Sequence, residues 1–401
     1  MSLGHGVSIV RSGLVFQYDM SNTKKSWKGK PTTNLIPVSS LATDTKTKTG
    51  DYYGTYKGIL RTGIANDNPR TYWFNSSTTV SASTTYTLSC LYWSSDGVLD
   101  DVYLRFTDTG WPESNSYIQP FTSQSVTRNG SFTITDIGDN WKYCVGTFDT
   151  LATTTTLNQC FFDVDIAGRK VFITNVQFEE GSIATPFVNG TRSNTEAILD
   201  ISGQGNTITA TSLTYNSDAT FEFVGSENSR SDRLTIADTS YPNTWDDPYS
   251  LEAMIYIPTG TTWYHAGSGT TIVGRGGYAG SQGLMRSSSN RIGFWQRSDT
   301  MSRYPAASLS HDTWYHVVGT NDGAGNMKFY LNGELVASDV LSWTSSTMDG
   351  GSWLIGGGNA FGGESGLYGG GKIPLSRLYS KALTAQEVQQ NFNALRGRFG
   401  I

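Results

Sequence analysis

A single stretch, Asp312 to Val336, decides the fold. It reads Asp-Thr-Trp-Tyr-His-Val-Val-Gly-Thr, then Asn-Asp-Gly-Ala-Gly-Asn, then Met-Lys-Phe-Tyr-Leu-Asn-Gly-Glu-Leu-Val. Its two longer runs alternate side chains between two faces: Trp314, His316 and Val318 against Tyr315 and Val317, then Met327, Phe329 and Leu331 against Lys328 and Tyr330. A period of two in segments rich in aromatic and β-branched residues predicts β-strands.

Turn residues separate these runs. Asp322-Gly323 and Gly325 lie between the first two, and glycine tolerates the positive φ that tight turns require. Asn332-Gly333 follows the second run and is the strongest short-range hairpin signal. The stretch therefore predicts an antiparallel meander at the core, with the other elements covering its faces.

Composition agrees with a β-rich chain. The 401 residues include 45 glycines, 12% aromatic residues and only 16% charged residues, which favours short strands, tight turns and two or three domains. The net charge is −5 and the only lysine cluster lies within residues 24–30, so we expect no nucleic-acid binding. The first fifteen residues contain no apolar run suited to a membrane span or a secretory signal, which predicts synthesis in a cytoplasm.

Cysteine usage and one helix signal add detail. The three cysteines, Cys90, Cys144 and Cys160, form no CxxC pair and are predicted to be buried free thiols. Near the end, Thr384-Ala-Gln-Glu387 is a capping box, and Val388, Phe392 and Leu395 share one helical face. We expect one short helix that stops at Gly397 and leaves Phe399 and Ile401 without an obvious local core.

The sequence contains an internal echo. Asp139-Asn-Trp-Lys-Tyr-Cys-Val-Gly-Thr147 matches Asp312 to Thr320 at the Asp, Trp, Val, Gly and Thr positions. Tyr86-Thr-Leu88 and Tyr249-Ser-Leu251 precede the two copies in comparable places. A repeat at so long a spacing indicates two sandwiches of similar build, unless it is a coincidence.

Several segments resemble a known fold family. The segments Tyr249–Tyr256, Thr313–Val318, Lys328–Glu334 and Ile373–Leu383 resemble laminin-G-like, concanavalin A-like jelly rolls. The ending, Leu378 to Phe399, resembles tailed-phage virion proteins that carry this domain. The resemblance implies an all-β fold with a C-terminal helix, and it says little about a ligand.

The same resemblance implies a nested layout. Gly13 to Asn22 is similar to the family's first strand, which is usually followed closely by a segment like Ile198 to Asn206. We therefore predict two antiparallel jelly-roll sandwiches, the second inserted into the first. Residues 1–30 would supply the first strand and linker, and residues 193–401 the remainder with its helix. Residues 31–192 would form the insert, since Val171 to Phe187 resembles the closing strand of carbohydrate-binding-module-like jelly rolls. The first strand would pair near Ile373–Tyr379.

Catalytic chemistry is sparse. Retaining glycoside hydrolysis, which concanavalin-type folds also host, needs two carboxylates about 5 Å apart, and the candidate strand offers Glu252 alone. Asp163 and Asp165 occupy alternate positions of another predicted strand. An exposed face of that strand also explains two acidic residues at this spacing. The four histidines lack metal-ligand or triad spacing, so no metal site is predicted. His316 is predicted to be packed and hydrogen-bonded. The family resemblance makes calcium possible, with Asp246, Asp247 and Asp322 as candidates, although turn chemistry also explains them.

Aromatic residues beside polar ones suit sugar binding, because a pyranose face stacks on a ring. The candidate carbohydrate-binding residues are Trp263, Tyr264, His265, Tyr278, Trp295 and Arg297. Interface or core packing explains the same residues.

We therefore expect a phage virion structural protein, without enzymatic activity or cofactor, that acts by protein–protein binding. Head decoration, collar or whisker, and fibre-associated roles all fit this expectation. The expected partners are other virion proteins and further copies of the chain in a homo-oligomer such as a trimer. The alternative is a lectin-like adhesin that binds host-surface glycans, and a glycoside hydrolase is a third hypothesis.

Overall fold

The computed structural model describes a defined part of the chain. The described residues are 8–36, 49–53, 56–62, 71–74, 77–98, 102–107, 116–117, 130–150, 152, 156–157, 159–164, 167–216, 221–224, 232–237, 241–244, 246–259, 270–275, 282–286, 291–297, 302–342, 351–357 and 371–401. The chain divides into two compact units. Unit 1 comprises Met1–Lys30 and Asn194–Ile401, and unit 2 comprises Pro31–Ser193.

Within these ranges the chain forms thirty strands and one α-helix. Unit 1 begins with β1 (Leu14–Asp19). The strands of unit 2 are β2 (Thr32–Thr33), β3 (Thr49–Tyr53), β4 (Tyr56–Thr62), β5 (Thr71–Phe74), β6 (Thr78–Thr79), β7 (Thr85–Ser94), β8 (Val102–Thr107), β9 (Ser116–Tyr117), β10 (Gly130–Gly138), β11 (Trp141–Asp149), β12 (Thr156–Leu157), β13 (Gln159–Val164), β14 (Lys170–Glu180) and β15 (Thr191–Arg192). Unit 1 continues with β16 (Ile208–Thr211), β17 (Thr214–Tyr215), β18 (Phe221–Glu222), β19 (Arg233–Ile236), β20 (Tyr249–Ile257), β21 (Thr270–Arg275), β22 (Gln282–Arg286), β23 (Arg291–Arg297), β24 (Ser302–Arg303), β25 (Ala306–Ser308), β26 (Thr313–Asn321), β27 (Asn326–Leu331), β28 (Glu334–Val340), β29 (Trp353–Ile355), β30 (Lys372–Tyr379) and α1 (Ala385–Phe399).

Unit 1 is a sandwich of two antiparallel sheets. Sheet I has the strand order β1-β30-β20-β26-β27-β28, and sheet II has the order β16-β19-β29-β21-β22-β23-β24, with β25 also paired to β23. Apolar side chains from the inner faces of both sheets, including Leu251, Phe329, Leu284 and Ile355, form one buried cluster. The predicted all-β fold class with one C-terminal helix is confirmed.

The stretch from Asp312 to Val336 forms the predicted meander. Strands β26, β27 and β28 follow one another in sheet I, each antiparallel to its neighbour. Val317 faces the core between the sheets, whereas Val318 packs in a second apolar cluster. The alternation of side chains therefore distinguishes the two faces of sheet I, as the sequence predicts.

Strand β20 is buried on both faces. Leu251, Ala253 and Ile255 join the core between the sheets. Met254 points the other way and packs with Leu375 and Leu395, the latter from α1. Because the helix covers the outer face of sheet I here, this strand is an almost continuous apolar run with few polar exceptions.

The first strand pairs with the last one. In β1 and β30, Leu14 lies opposite Tyr379 and Asp19 opposite Leu375, in antiparallel register. The Tyr18 hydroxyl also donates to the Ile373 carbonyl oxygen at 2.6 Å, across 355 positions of sequence. The predicted pairing near Ile373–Tyr379 is confirmed.

This pairing predicts that the N-terminal segment stays bound to the rest of unit 1 after the chain is cut. If protease sites are engineered after Lys30 and after Ser193, cleavage at both should leave residues 1–30 bound to residues 194–401, because β1 is hydrogen-bonded into sheet I. Native size-exclusion chromatography followed by mass spectrometry measures this. Release of the N-terminal peptide without denaturant would contradict the pairing.

The C-terminal helix has the predicted start and a different end. The Glu387 amide donates to Thr384 Oγ1, and the Thr384 amide donates to the Glu387 carboxylate, which completes the capping box. The helix does not stop at Gly397 as predicted, but continues to Phe399, and Gly400 caps it with a φ of 70°. The longer helix lets the Phe399 ring reach Trp314, with ring centroids 4.9 Å apart. Phe399 and Ile401 therefore pack against an apolar cluster of this chain, formed by Met254, Leu375 and Leu395.

Unit 2 consists of antiparallel strands arranged in several sheets. Sheet III has the order β10-β11-β7-β14-β4-β3, and sheet IV has the order β5-β13-β8-β9. Cys90 and Cys144 lie directly opposite one another in β7 and β11 and are buried free thiols, as predicted. The side chain of Cys160 lies outside the described residues.

The sequence echo corresponds to a shared local structure. Asp139 and Asp312 both adopt a positive φ, 52° and 56°, just before a strand that contains a tryptophan. In unit 2, Gly146 of β11 lies opposite Leu88 of β7. In unit 1, the equivalent Gly319 of β26 lies opposite Leu251 of β20. Both units therefore build the same strand pair in the same register.

Candidate functional site

A buried carboxylate lies between sheet I and α1. Glu252 of β20 is fully buried on the outer face of sheet I. The Arg377 guanidinium donates to Oε1 at 2.7 Å, and His316 Nε2 lies 2.9 Å from the same oxygen. Asn391 Nδ2 of α1 donates to Oε2 at 2.8 Å, and the Tyr379 hydroxyl lies 3.2 Å from it. Both carboxylate oxygens are thus occupied by groups of this chain.

The same network holds the start of the chain. The Val10 amide donates to Asn391 Oδ1 at 2.8 Å, and the Tyr379 hydroxyl lies 3.2 Å from the Val10 carbonyl oxygen. Val10 also packs with Leu14, Val318 and other residues of the second apolar cluster. The network therefore joins three strands, the helix and the segment before β1.

Charge compensation controls how Glu252 titrates. Burial raises the pKa of the Glu252 carboxyl, but the Arg377 charge and the hydrogen bonds from His316 and Asn391 outweigh burial and lower that pKa to about 2. Burial and the neighbouring carboxylate raise the pKa of Tyr379 well above its usual value, so this hydroxyl remains a donor. Glu252 is therefore a buried anion at neutral pH, compensated by Arg377.

This geometry bears on the hydrolase hypothesis. A glycosidase carboxylate must reach the bond that it cleaves, and Glu252 is closed off by α1 and by sheet I. Its environment lowers its pKa, whereas a general acid needs a raised one. Glu252 is a structural residue, as is His316, which is packed and hydrogen-bonded as predicted.

An open groove lies on sheet I beside the start of the helix. Its volume is about 590 Å³, and Leu383 and Ala382 form one wall. Its polar lining consists of Thr320, Asp322, Asn326, Lys328, Ser338 and Asp339. Asp322 Oδ1 accepts from the Asn326 amide at 3.0 Å, which fixes the turn that borders the groove. The groove can offer both signs of charge and several hydroxyl or amide groups to a partner.

The edge of sheet I borders this groove. Strand β28 pairs with β27 and is the last strand of the sheet among the described residues. Three of its seven residues are exposed apolar side chains, with 51% of Leu335, 43% of Val336 and 54% of Val340 accessible to solvent. We call the groove together with these three residues the β28 surface. A strand edge that displays apolar side chains is a surface suited to protein binding.

The predicted sugar-binding residues are only partly described. Trp263, Tyr264, His265 and Tyr278 lie outside the described residues. A single site formed by all six candidates stays a prediction.

Two of the six candidates lie on β23. Trp295 is half-buried and lies between Phe294 and Gln296, which face the core side of sheet II, so Trp295 points away from it. Its ring lies 6.1 Å from the Tyr304 ring. Arg297 is the last residue of the same strand. Trp295 therefore offers a partly accessible ring on the outer face of sheet II.

Two of the three calcium candidates, Asp247 and Asp322, hold local turns. Asp247 Oδ2 accepts from the Asn243 and Thr244 amides at 2.7 and 2.9 Å, and Asp322 accepts from the Ala324 and Asn326 amides. Across the described ranges, no group of three or more His, Cys, Asp or Glu residues is placed to hold a metal ion. Calcium binding stays a prediction.

Sequence reasoning missed the network around Glu252. The sequence does contain a signal for this network. Glu252 is the one acidic residue within the apolar run Leu251 to Ile257, and Arg377 lies in a similarly apolar run. A buried charge requires a partner, so the two residues could have been paired on that ground. None of the described residues forms a helix long and apolar enough to cross a membrane.

Comparison with known proteins identifies the class of the larger unit. Residues 228–389 match the sequence profile of the concanavalin A-like lectin/glucanases superfamily. The matched residues all lie in unit 1. Unit 1 therefore contains a concanavalin A-like jelly-roll domain. Among curated proteins, none matches this sequence.

Solved structures show a weaker likeness. The receptor-binding domain of botulinum neurotoxin D is 16% identical with a TM-score of 0.41, over 50% of each chain. The botulinum neurotoxin serotype G binding domain is 18% identical with a TM-score of 0.40, over 49% of this chain and 48% of that one. The binding domain of Paraclostridial Mosquitocidal Protein 1 is 14% identical with a TM-score of 0.40, over 49% of each chain. The chain spans about half the length of these structures, and likeness at this level transfers no function.

Proposed function

We propose that this chain is a non-catalytic binding protein and a structural component of a tailed-phage virion, in a head-decoration, collar or whisker, or fibre-associated role. The observation that carries the binding role is the β28 surface, where three exposed aliphatic side chains line a sheet edge beside a polar groove. Removing such side chains from water favours association with another protein.

The groove indicates the chemistry of the partner. Asp322 and Asp339 outnumber Lys328 in its lining, so a partner strand with apolar residues and one basic side chain would complement it. Strand addition to an exposed edge is a common mode of protein recognition, in which backbone hydrogen bonds supply affinity and side chains supply specificity.

Two further observations support the proposal. Glu252 is the carboxylate on which the hydrolase hypothesis depended, and both of its oxygens accept hydrogen bonds from buried groups of this chain. The segment Leu378 to Phe399, which resembles tailed-phage virion proteins, forms the end of β30 and α1 and holds the start of the chain in place. A lectin-like adhesin is the second candidate, favoured by the outward-facing Trp295 ring.

Particle incorporation tests the proposal. The full chain should co-purify with virions at fixed stoichiometry, and Leu335→Lys with Val340→Lys should lower incorporation by about tenfold or more, since two new charges would enter an apolar contact. The matched control is Val224→Lys, another exposed aliphatic residue of unit 1 that lies off β28.

The outcomes separate the candidates. Absence of the chain from particles, or equal incorporation of all variants, would refute the structural role at this surface. Binding to a glycan array that Trp295→Ala weakens would favour the adhesin. Release of reducing sugar by the purified chain would restore the hydrolase hypothesis.

A further inference from the structure

Two buried thiols of unit 2 face each other across a strand pair. Cys90 of β7 and Cys144 of β11 are directly opposite in antiparallel register, so their side chains lie on the same face of sheet III. Each residue is 1% accessible to solvent, and the Cys144 thiol forms a hydrogen bond with that of Cys90. Both thiols are free. Neither contributes to the β28 surface, which lies in unit 1.

The pairing places the two backbones at a distance that a disulfide can span. In the same strand pair the Thr150 amide donates to the Thr84 carbonyl oxygen at 3.0 Å. These residues lie six positions along each strand from the two cysteines, with no shift in register. Hydrogen-bonded pairs recur at every second position, so Cys90 and Cys144 also form one. Opposite Cα atoms in such a pair are about 5.5 Å apart, and disulfides join Cα atoms about 4.4 to 6.8 Å apart.

A β-bulge beside Cys90 allows β7 to move towards β11. On the other side of β7 the pairing with β14 is irregular, because two residues, Asn175 and Val176, lie opposite Cys90 alone. Asn175 has a φ of 52°, and the Val176 carbonyl oxygen accepts from Asn34 Nδ2 at 3.0 Å. At Cys90, regular ladder pairing therefore holds β7 on the β11 side only.

We propose that Cys90 and Cys144 are a site of reversible covalent modification, at which a low-molecular-weight disulfide converts the two thiols into one protein disulfide. The thiolate of one cysteine attacks the small disulfide, which gives a mixed disulfide and releases one small thiolate. The other cysteine thiolate attacks the protein sulfur of the mixed disulfide and releases the second small thiolate. Each cysteine gives up one proton and each released thiolate takes one up, so two protein thiols are oxidised and one small disulfide is reduced.

Burial controls the rate of this exchange. The thiolate is the nucleophile, and burial raises the pKa of the Cys144 thiol, as does its hydrogen bond with Cys90. Exchange therefore requires transient opening of sheet III and is slow while unit 2 stays folded. The bond that forms is strained, because opposite Cβ atoms lie about 4.5 to 5.5 Å apart and a disulfide needs about 3.5 to 4.5 Å. A strained disulfide is easily reduced, so the modification is reversible.

The bond changes the stability of unit 2. It closes a loop from residue 90 to residue 144 that contains β8, β9 and β10. A cross-link of this kind restricts the unfolded chain, so the oxidised unit is more stable than the reduced one. A chain made under reducing conditions thus gains stability when it reaches an oxidising medium. This inference goes beyond the proposed function and does not depend on it.

The test uses the purified full chain with its natural cysteines. The chain is incubated with oxidised glutathione in urea below the unfolding transition, alkylated, and digested without reduction by chymotrypsin. This protease cuts after Phe148, which separates Cys144 from Cys160. We expect mass spectrometry to find Cys90 joined to Cys144, and the midpoint of thermal unfolding of unit 2 to rise by about 5 °C. Dithiothreitol should reverse both changes.

Cys90→Ala and Cys144→Ala are matched controls, because each leaves one thiol of the pair. Neither variant should form the cross-link or gain stability from the oxidant, and circular dichroism checks that both fold. The wild-type result decides the question even where a variant does not fold. A wild-type chain that keeps both thiols free, a mixed disulfide with glutathione that does not close, or a cross-link to Cys160 would overturn the proposal. These results are independent of virion incorporation, which reports on the β28 surface.

Discussion

Replacing Arg377 with leucine should lower the free energy of unfolding of unit 1 by about 3 to 5 kcal/mol, because it leaves the Glu252 carboxylate buried without its compensating charge. The measurement is equilibrium urea unfolding of the full chain. Susceptibility to proteolysis at each urea concentration reports the fraction of unit 1 that is unfolded. The matched control is Arg398→Leu, which removes a partly exposed ion pair with Asp19. Such pairs contribute about 0 to 1 kcal/mol.

Two further variants show whether the unpaired carboxylate causes the loss. Adding Glu252→Gln to Arg377→Leu removes the uncompensated charge, so the double variant should be more stable than Arg377→Leu alone. If Arg377→Leu loses no more than Arg398→Leu, Glu252 is not held as the structure describes.

The pH dependence follows from the same network. The folded-state pKa of Glu252, about 2, is below its ordinary value of 4.5. Its ionisation therefore stabilises the fold fully above pH 4.5, and this stabilisation is lost as the pH falls from 4.5 towards 2. The linked free energy is about 3 kcal/mol. Glu252→Gln should flatten the acid limb of the stability curve in this window, and an unchanged limb would contradict the assignment.

Replacing Gly356 with alanine should destabilise unit 1 by about 2 to 5 kcal/mol. Gly356 has a φ of +77°, and a Cβ there would lie 2.0 Å from the ring of Phe223. The positive φ costs about 1 to 2 kcal/mol for a residue with a Cβ. Overpacking against a fully buried ring adds about 1 to 3 kcal/mol.

Gly205 provides a matched control for Gly356. Its φ is +75°, almost the same, but a Cβ there would meet nothing within 4 Å. Gly205→Ala should therefore lose only the conformational part, about 1 to 2 kcal/mol. Thermal unfolding compares the two variants, and adding Phe223→Leu should restore part of the stability of Gly356→Ala. Equal losses at the two glycines would mean that the contact with Phe223 has no effect.

Much of the fold could be predicted because its determinants are local or repeated. Alternation within Asp312 to Val336 and the Asn332-Gly333 turn specify consecutive strands, and the capping box specifies where α1 begins. The pairing of β1 with β30 could be predicted from family resemblance alone, because no local pattern links positions 355 residues apart. The end of α1 was misplaced because the sequence offers two glycines, Gly397 and Gly400, and only Gly400 adopts the positive φ that ends the helix.

The surfaces were harder to predict than the fold. Alternation of side chains in a sequence does not distinguish an edge strand from a central one. The exposure of Leu335 and Val340 on β28 follows from the position of that strand in sheet I, which the sequence alone does not reveal. The aromatic candidates around Trp263 lie outside the described residues, so a sugar site there stays a prediction.

The pairing of β1 with β30 also sets an order of events during synthesis. At about 5 to 20 residues per second, a ribosome needs roughly 20 to 70 seconds to reach β30 after it has made β1. During that interval β1, with its apolar residues Leu14, Phe16 and Tyr18, lacks the strand with which it pairs in the folded protein. The strands of unit 2 are synthesised in the same interval and can pair with one another. Folding of unit 1 is thus delayed by its own topology, and a chaperone that shields the nascent N-terminal strand would be most useful in this interval.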